Sequence, residues 1–325
     1  MIYIEHESMD PYFWFGLEND LMQNGALTED VFLFWRTEPT LMLGRYQNAA
    51  AEINEEYANR RGIHIARRMT GGGAIYTDPG SWQFSFIRRE RSKQIDFGEF
   101  VLPVLSGLKH MGLDVAMSER NDLLIGGKKF SGNAQYHSRG RVLHHGSILF
   151  DADIEEMVRC LTVDNEKIIS KGIRSVRQRV TNLREHIGGD LDALAFRDRL
   201  LPFLLPDNVK KRVLEPADIT RIQNTHALMF RSWDWVFGKS PDFQVVNSKR
   251  LPGGRVNICL NLEKGVITDC SITGDFFFTG DIGAVTKKLK GCRYDRPSIY
   301  KALSGMMKEQ PFYRISLDEL MTCIF

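Results

Sequence analysis

Three short segments of this chain carry residue types able to handle a phosphorylated or carboxylated ligand. The first is Arg67-Arg68-Met69-Thr70-Gly71-Gly72-Gly73-Ala74-Ile75-Tyr76. Successive glycines let consecutive backbone N–H groups converge on an anion and let a ligand approach the main chain closely. The two arginines before them add the charge a polyphosphate needs. The competing reading is a tight turn beside surface arginines; Arg-Arg at a fixed offset favours the anion. The pattern is neither a GxxxxGK[ST] Walker loop nor a GxGxxG fingerprint. The second segment runs from Arg120-Asn121-Asp122 through Gly126-Gly127-Lys128-Lys129-Phe130-Ser131-Gly132-Asn133-Ala134. A lysine framed by small residues can bring a compact ammonium to a carbonyl or phosphate oxygen. Asp122 could pair with it or help place Mg²⁺. A solvated Gly-Gly-Lys-Lys hairpin turn is an equal reading of the same residues. The third is His144-His145-Gly146-Ser147. Adjacent histidines on a strand point to opposite faces and cannot easily share one metal, so each reads as a hydrogen-bonded structural histidine.

A basic run follows: Lys167, Lys171, Arg174, Arg177, Arg179 and Arg184, with Glu166 just before it. A solvated face is the plain reading; a basic loop folding over a nucleotide or meeting an acidic partner is the sharper one. Several patterns are absent. There is no GxSxG elbow, no HExxH and no distinctive carboxylate pair, and none of the five cysteines neighbours a glycine-rich or basic motif. Covalent catalysis has no strong candidate, and the residues taken alone point to a phosphate-handling enzyme.

The elements that must position these segments follow from periodicity. Ser8 is the expected cap of a first helix with Pro11 in its first turn. Val31–Trp35 and Leu41–Leu43 read as buried strands, residues 52–61 as a helix and 63–66 as a strand. Ala74–Thr77 resumes as strand after the glycines. Trp82, Phe84 and Phe86 alternate with Gln83, Ser85 and Ile87, which predicts a mostly half-buried strand. Residues 97–111 read as a helix despite Pro103; 121–126, 129–136 and 142–150 read as strands; 153–161, 191–204 and 216–230 read as helices. From about 242, strands 255–262 and 266–273 meet around Glu263-Lys264-Gly265, and helices near 281–290 and 296–308 close the chain.

With 325 residues, 43% hydrophobic and 26% charged, the chain has the composition of a globular protein of two domains, divided near Gly238-Lys239-Ser240-Pro241. Forty-three basic against 41 acidic residues give a net charge of +2, so no global field recruits nucleic acid or a membrane. Cys160, Cys259, Cys270, Cys292 and Cys323 are scattered and odd in number, which argues against disulfides and structural zinc. The start lacks a signal-peptide pattern and no apolar run could span a bilayer, so a cytoplasmic location is expected.

Together the segments resemble the lipoate–protein ligase family of the biotin/lipoate ligase superfamily. The resemblance rests on Arg67-Arg68-x-Thr70-Gly71-Gly72-Gly73-Ala74, Arg120-Asn121-Asp122-Leu123, Lys129-Phe130-Ser131-Gly132, His144-His145-Gly146 and Lys171-Gly172-Ile173-x-Ser175-Val176-Arg177-x-Arg179-Val180-Thr181-Asn182-Leu183. Order and spacing match over nearly the whole chain, and Trp233-x-Trp235-x-Phe237-Gly238 resembles the family's entry into its accessory domain. The fold implied is α+β: a mixed, largely antiparallel sheet flanked by helices, with a small α+β C-terminal domain. Residues 1–241 would form the catalytic lipoate- and ATP-binding domain and 242–325 the accessory domain.

The activity implied is ATP-dependent ligation for lipoate scavenging. Lipoate and ATP form lipoyl-AMP and pyrophosphate; the lipoyl group then passes to a lysine of a lipoyl domain in a 2-oxoacid dehydrogenase acyltransferase subunit or the glycine cleavage H protein. By the resemblance, Lys129 and Asp122 are catalytic. Arg68, Gly73, Ala74, Ile75, Tyr76, Lys129 and Val180 hold ATP or the adenylate, while Lys129, Gly72, Arg68 and His145 hold lipoate. Asp122 would place Mg²⁺, and the Lys167–Arg184 run looks like the loop that closes over the adenylate. A monomer with no nucleic-acid or membrane partner is expected. Many family members have His-Asp after the glycine-rich strand, where this chain has Thr77-Asp78; threonine hydrogen-bonds but does not titrate near neutrality. The rival readings are a lipoyl or octanoyl transferase of the same fold and a non-ligating homologue that binds lipoyl domains. The transferase would need a cysteine, and Met117–Asp122 holds none. A biotin ligase would show a Gly-Arg-Gly-Arg loop, which is missing.

Overall fold

A computed structural model describes every residue except 25–27, 48, 91, 93, 162–175, 238–244 and 264, and the side chains of 50 and 51. Lys167, Lys171, Arg174, Ser175, the boundary residues Gly238–Pro241 and the hairpin residue Lys264 lie outside the described residues. Fourteen strands are described: β1 (Ile2–Ile4), β2 (Val31–Trp35), β3 (Thr40–Leu43), β4 (His64–Arg67), β5 (Ile75–Thr77), β6 (Ser81–Arg89), β7 (Val115–Met117), β8 (Asp122–Ile125), β9 (Lys128–Ser138), β10 (Arg141–Leu149), β11 (Lys210–Arg212), β12 (Val245–Leu251), β13 (Gly254–Glu263) and β14 (Val266–Gly274).

Eight strands form one sheet in the order β11-β1-β2-β6-β10-β9-β8-β7. Only β1 pairs in parallel, with β2 and β11; the other pairings are antiparallel. A small sheet β4-β3-β5 carries the glycine-rich segment, and β12-β13-β14 form the separate sheet of the C-terminal domain. This is the mixed, largely antiparallel α+β architecture with an added small domain.

Side-chain alternation along strands sorts the residues between two layers. Phe32, Phe34, Trp82, Phe84 and Phe86 face the helices Gly98–His110 and Ala193–Leu204. Val31, Leu33 and Trp35 face the opposite way, onto Phe13, Phe15 and Leu17 of the helix Pro11–Gln23. Both faces of β6 are buried, so its expected half-buried pattern is corrected: Gln83 and Ser85 are polar yet only 3% and 0% exposed. Their face is covered by the first helix and a cavity, not by water.

Other local differences have physical causes. Asp10, not Ser8, caps the first helix, because its carboxylate accepts from the Tyr12 N–H with Pro11 at the first helical position. The helix expected over 52–61 is broken: Asn54 caps a new helix, Glu55–Arg61, by accepting from the Tyr57 N–H. The stretch 216–230 contains a π-turn at Ile222–His226 between two short helices. Four strands (β1, β7, β11, β12) and the helix Leu317–Ile324 were not anticipated, although Ser316 and Glu319 form a capping box readable as Ser-x-x-Glu.

Candidate active site

Lys129 is delivered by a hairpin. Strands β8 and β9 are joined by Gly126 and Gly127, whose φ values of 54° and 75° are those of a tight two-residue turn that only glycine adopts freely. The turn reading of Gly-Gly-Lys-Lys is therefore right locally, and the turn sets Lys129 in place opposite Asp122. Lys129 Nζ lies 2.7 Å from Asp122 Oδ1 across the hairpin. Gly132 leaves the ammonium its room, since a Cβ there would stand 3.0 Å from Nζ. The backbone of Lys129 bridges to Val180, and its carbonyl accepts from the Thr181 N–H at 3.0 Å. The segment after the basic run is thus stitched to the lysine strand.

The glycine-rich segment is shaped from below by two buried arginines. Arg67 donates to the carbonyls of Gly44 and Gln47, both at 2.7 Å, and of Val236 at 2.6 Å. Arg68 donates to Thr70 Oγ1 (3.0 Å) and to the carbonyls of Met42 (2.9 Å), Gly71 (2.8 Å) and Gly73 (2.7 Å). Burial pushes the Arg67 guanidinium down to about 10 and that of Arg68 to about 9, so both stay cationic at neutral pH. Apart from Arg68 Nε, which donates to the Thr70 hydroxyl, these donors go to main-chain oxygens. Gly72 has φ 92°, and a Cβ on Gly44 would stand 1.9 Å from its carbonyl oxygen, so the turn packs directly on backbone.

Two cavities meet at Lys129. A narrow one of about 110 Å³ has apolar walls from Phe15, Trp35 and Met42 and is also lined by Gly72, Gly73 and His145. A wider one of about 510 Å³ is lined by Tyr76, Asp122, Leu149, Met157, Arg179 and Val180. Ala74, Ile75, Lys129, Gly132 and Ser147 line both. Arg68 lines the narrow cavity as well. Every residue expected at the site therefore falls on one cavity or the other. Asn121 also lines the narrow one while its amide donates to the Asn133 carbonyl at 2.7 Å.

The two histidines divide as strand alternation requires. His144 is fully buried, stacked on Phe100 with ring centroids 4.8 Å apart, and burial holds its pKa well below the usual imidazole range. His145 faces the narrow cavity and meets Thr70 and Glu18. Thr77, the departure from the family pattern, lines neither cavity: it is buried and accepts from Gln83 Nε2 at 2.6 Å. Of the basic run, Arg177 pairs with Glu155 (3.1 Å) and Arg184 with Asp190 (3.1 Å), so these two are not free cations. Burial raises the thiols of Cys160 to about 12 and Cys270 to about 11, which makes them poor nucleophiles. Among the described residues no cluster of three metal-binding side chains exists.

The C-terminal domain closes one flank. The Gly72 N–H donates to the Phe276 carbonyl at 3.3 Å, and the Gly274 N–H to the Tyr46 carbonyl at 2.5 Å. Tyr46 stacks on Phe276 with centroids 4.9 Å apart, and Phe277 enters the lining of the narrow cavity. Arg120 Nη2 donates to the Gly253 carbonyl at 2.6 Å. Sequence reasoning missed Phe277, Trp35, Glu18 and Gln83 as parts of the site. None of the four carried a local signal, whereas Gly132 already stood in the quoted lysine segment.

The model for the lipoyl protein ligase A/B catalytic domain matches residues 10–204, and that for the bacterial lipoate protein ligase C-terminus matches residues 240–324. The chain belongs to the lipoate–protein ligase family. It is 34% identical over 331 aligned positions to the lipoate-protein ligase LplJ of Bacillus subtilis, with all of both chains covered. Among solved structures, Plasmodium falciparum LipL1 in complex with lipoate superposes with a TM-score of 0.78 at 23% identity, covering 94% of each chain. A lipoate-protein ligase A bound with ATP gives a TM-score of 0.61 at 22% identity, covering 73% of this chain and 98% of the other. These two likenesses establish that the ligase family's fold is retained here.

Proposed function

We propose that this ligase family member activates lipoate with ATP and transfers the lipoyl group to a lysine of a lipoyl domain. One observation carries the reading: the Lys129 ammonium stands where a narrow cavity walled by Phe15, Trp35 and Met42 meets a wider one that also holds Asp122 and Arg179. An apolar chain ending in a carboxylate suits the slot, and its carboxylate would emerge beside the lysine. A nucleotide in the wider cavity would bring its α-phosphate to the same place. Adenylation joins a carboxylate oxygen to that phosphorus and releases pyrophosphate, and positioning with fixed positive charge supplies most of the catalysis. Transfer then breaks the mixed anhydride by attack of the acceptor lysine amine and frees AMP.

In this reading Lys129 stabilises the charge that develops in both steps, and Asp122 orients it. Ala74, Ile75, Tyr76 and Val180 line the nucleotide's place, Gly73 borders it from the narrow cavity, and Gly72 and His145 lie along the lipoyl chain. Arg68 contributes by holding the glycine turn in shape, since its donors already bind carbonyls and the Thr70 hydroxyl. Mg²⁺ fits as an ion carried chiefly by nucleotide phosphates, with Asp122 the one carboxylate among the described cavity linings; it would neutralise phosphate charge. We place the division between catalytic and accessory domains at 241/242. We assign a monomer, since one chain lines both cavities among the described residues, acting in the cytoplasm on 2-oxoacid dehydrogenase or glycine cleavage lipoyl domains. The described cysteines are all free thiols, and no described helix is long and apolar enough to cross a membrane.

The test is lipoate-dependent exchange between ATP and pyrophosphate, followed by transfer to a purified lipoyl domain. Exchange that disappears in Lys129→Ala supports the reading. Absence of exchange in the folded wild-type protein with Mg²⁺ present would overturn it.

A further inference from the structure

Behind the narrow cavity runs a chain of buried hydrogen bonds whose members Glu18, Ser85 and Thr70 the ligase reading does not use. Glu18, on the first helix, is fully buried. Its Oε1 accepts from Ser85 Oγ at 2.6 Å, and that hydroxyl accepts from Trp35 Nε1 at 2.9 Å. The same Oε1 lies 3.2 Å from His145 Nδ1. On the far side of the ring, His145 Nε2 lies 2.7 Å from Thr70 Oγ1, and that oxygen accepts from Arg68 Nε at 3.0 Å. Arg68 then holds the carbonyls of Gly71 and Gly73. The path links a cavity wall, Trp35, to the glycine turn.

Donor and acceptor bookkeeping orders the protons along it. A carboxylate only accepts, so the proton of His145 sits on Nδ1. A neutral imidazole then has a bare Nε2, which can only accept. The Thr70 hydroxyl must therefore donate to it, which leaves the threonine oxygen's lone pairs for Arg68. With Glu18 ionised this arrangement satisfies each hydrogen bond along the path, while Glu18 Oε2 has no hydrogen-bond partner among the described residues. With a doubly protonated ring, Thr70 Oγ1 would face two donors, His145 Nε2–H and Arg68 Nε–H, and the hydroxyl proton would have no partner among these groups. The buried carboxylate and the buried guanidinium sit at opposite ends, so the charge of each is balanced through the relay.

We propose that Glu18 and Thr70 are positioning residues of the ligase reaction: Glu18 locks the tautomer of His145, and the bare Nε2 holds the Thr70 hydroxyl that anchors Arg68 and the glycine turn. The reaction role rests on the proposed activity, but the tautomer does not. Nitrogen-15 imidazole spectra of the wild-type protein at neutral pH are expected to show His145 protonated at Nδ1 only. His144 provides an internal contrast: its Nδ1 faces the Gln135 amide at 3.1 Å and its Nε2 faces Asn133 Oδ1 at 3.2 Å, so it should carry the opposite tautomer. Thr70→Val keeps the shape but removes the hydroxyl, and pyrophosphate exchange should fall on the order of a hundredfold through misplacement of the turn. Thr70→Ser should restore it, and Glu18→Gln should give mixed His145 tautomers with slowed exchange. A wild-type His145 protonated at Nε2, or Thr70→Val exchanging at the wild-type rate, would overturn the proposal. Should Thr70→Val not fold, the wild-type spectra still decide the relay. Absence of exchange in wild type would strike the ligase reading and leave the tautomer result standing.

Discussion

Gly71→Ala isolates the contact between the C-terminal domain and the glycine turn. Gly71 does not have a left-handed backbone, so alanine carries no conformational strain there. Its Cβ would, however, stand 2.3 Å from the Phe276 carbonyl oxygen and 3.1 Å from Phe277 Cα. The partner is backbone and cannot swing aside, so the segment following β14 must retreat by about 0.7 Å to reach a tolerable 3.0 Å. Overpacking of this size costs about 1–3 kcal/mol. Opposing it are the burial of Phe277, about 2–3 kcal/mol, and the crossing hydrogen bonds from Gly72, Gly274 and Arg120, each about 1 kcal/mol net. The cost falls only on the docked arrangement, so the docked-to-undocked ratio should drop about 5- to 150-fold. Hydrogen exchange of the Gly72 and Gly274 amides reads this directly. Both should lose protection while amides inside β13, such as Ile258, keep theirs. Equal protection in variant and wild type would refute the close approach. Simultaneous loss throughout β13 would show unfolding in place of undocking.

Further outcomes follow from the same geometry. Lys129→Ala should lower pyrophosphate exchange by about 10²–10³, while the thermal midpoint barely moves, because its pair with Asp122 is about one-third exposed and worth well under ~1 kcal/mol. Gly132→Ala should crowd Lys129 Nζ from 3.0 Å and reduce kcat more than it raises the KM for ATP; unchanged kinetics would exclude tight packing of the ammonium there. Gly146→Ala places a Cβ 2.3 Å from both Asn133 Oδ1 and Phe84 Cζ, so the urea midpoint should fall by an amount equivalent to about 1–3 kcal/mol or more. His144, held neutral by burial, gives a pH signature. Its native pKa is depressed, so below its usual 6.5 the unfolded chain binds a proton that the native state refuses. Stability should therefore fall on acidification through that window, by up to about 1.4 kcal/mol per pH unit. Urea titrations between about pH 7.5 and 5.5 should show a flatter profile in His144→Asn.

The site was legible in sequence wherever chemistry forces a residue type at a fixed offset. Arg67-Arg68 before three glycines and Lys129 after Gly126-Gly127 are such cases, since a positive φ or a close backbone approach admits little but glycine. What those arginines do was not legible. Their spacing before a glycine turn suits an anion equally well, and only the positions of the Met42, Gly44, Gln47 and Val236 carbonyls show that the guanidinium groups hold main chain. β6 was misjudged for a related reason. Polar alternation at Gln83 and Ser85 ordinarily signals water, but here it signals a covered polar floor beneath an apolar slot. The split of the 52–61 helix and the cap at Asp10 turn on side-chain hydrogen bonds that periodicity cannot register. Strands β1, β7 and β11 have three residues each, too few for a pattern, and exist only because a neighbouring strand offers them partners.

The sequence by itself determined the family, ten of the fourteen described strands, the glycine turns and the lysine, because backbone torsion limits and strand alternation act over a few residues. The tertiary structure alone decided that Lys129 sits between two cavities, that Phe277 of the C-terminal domain helps line one of them, and that Glu18 stands behind His145, 127 positions away. Such contacts depend on how layers pack, and packing joins residues whose separation along the chain carries no trace of their separation in space.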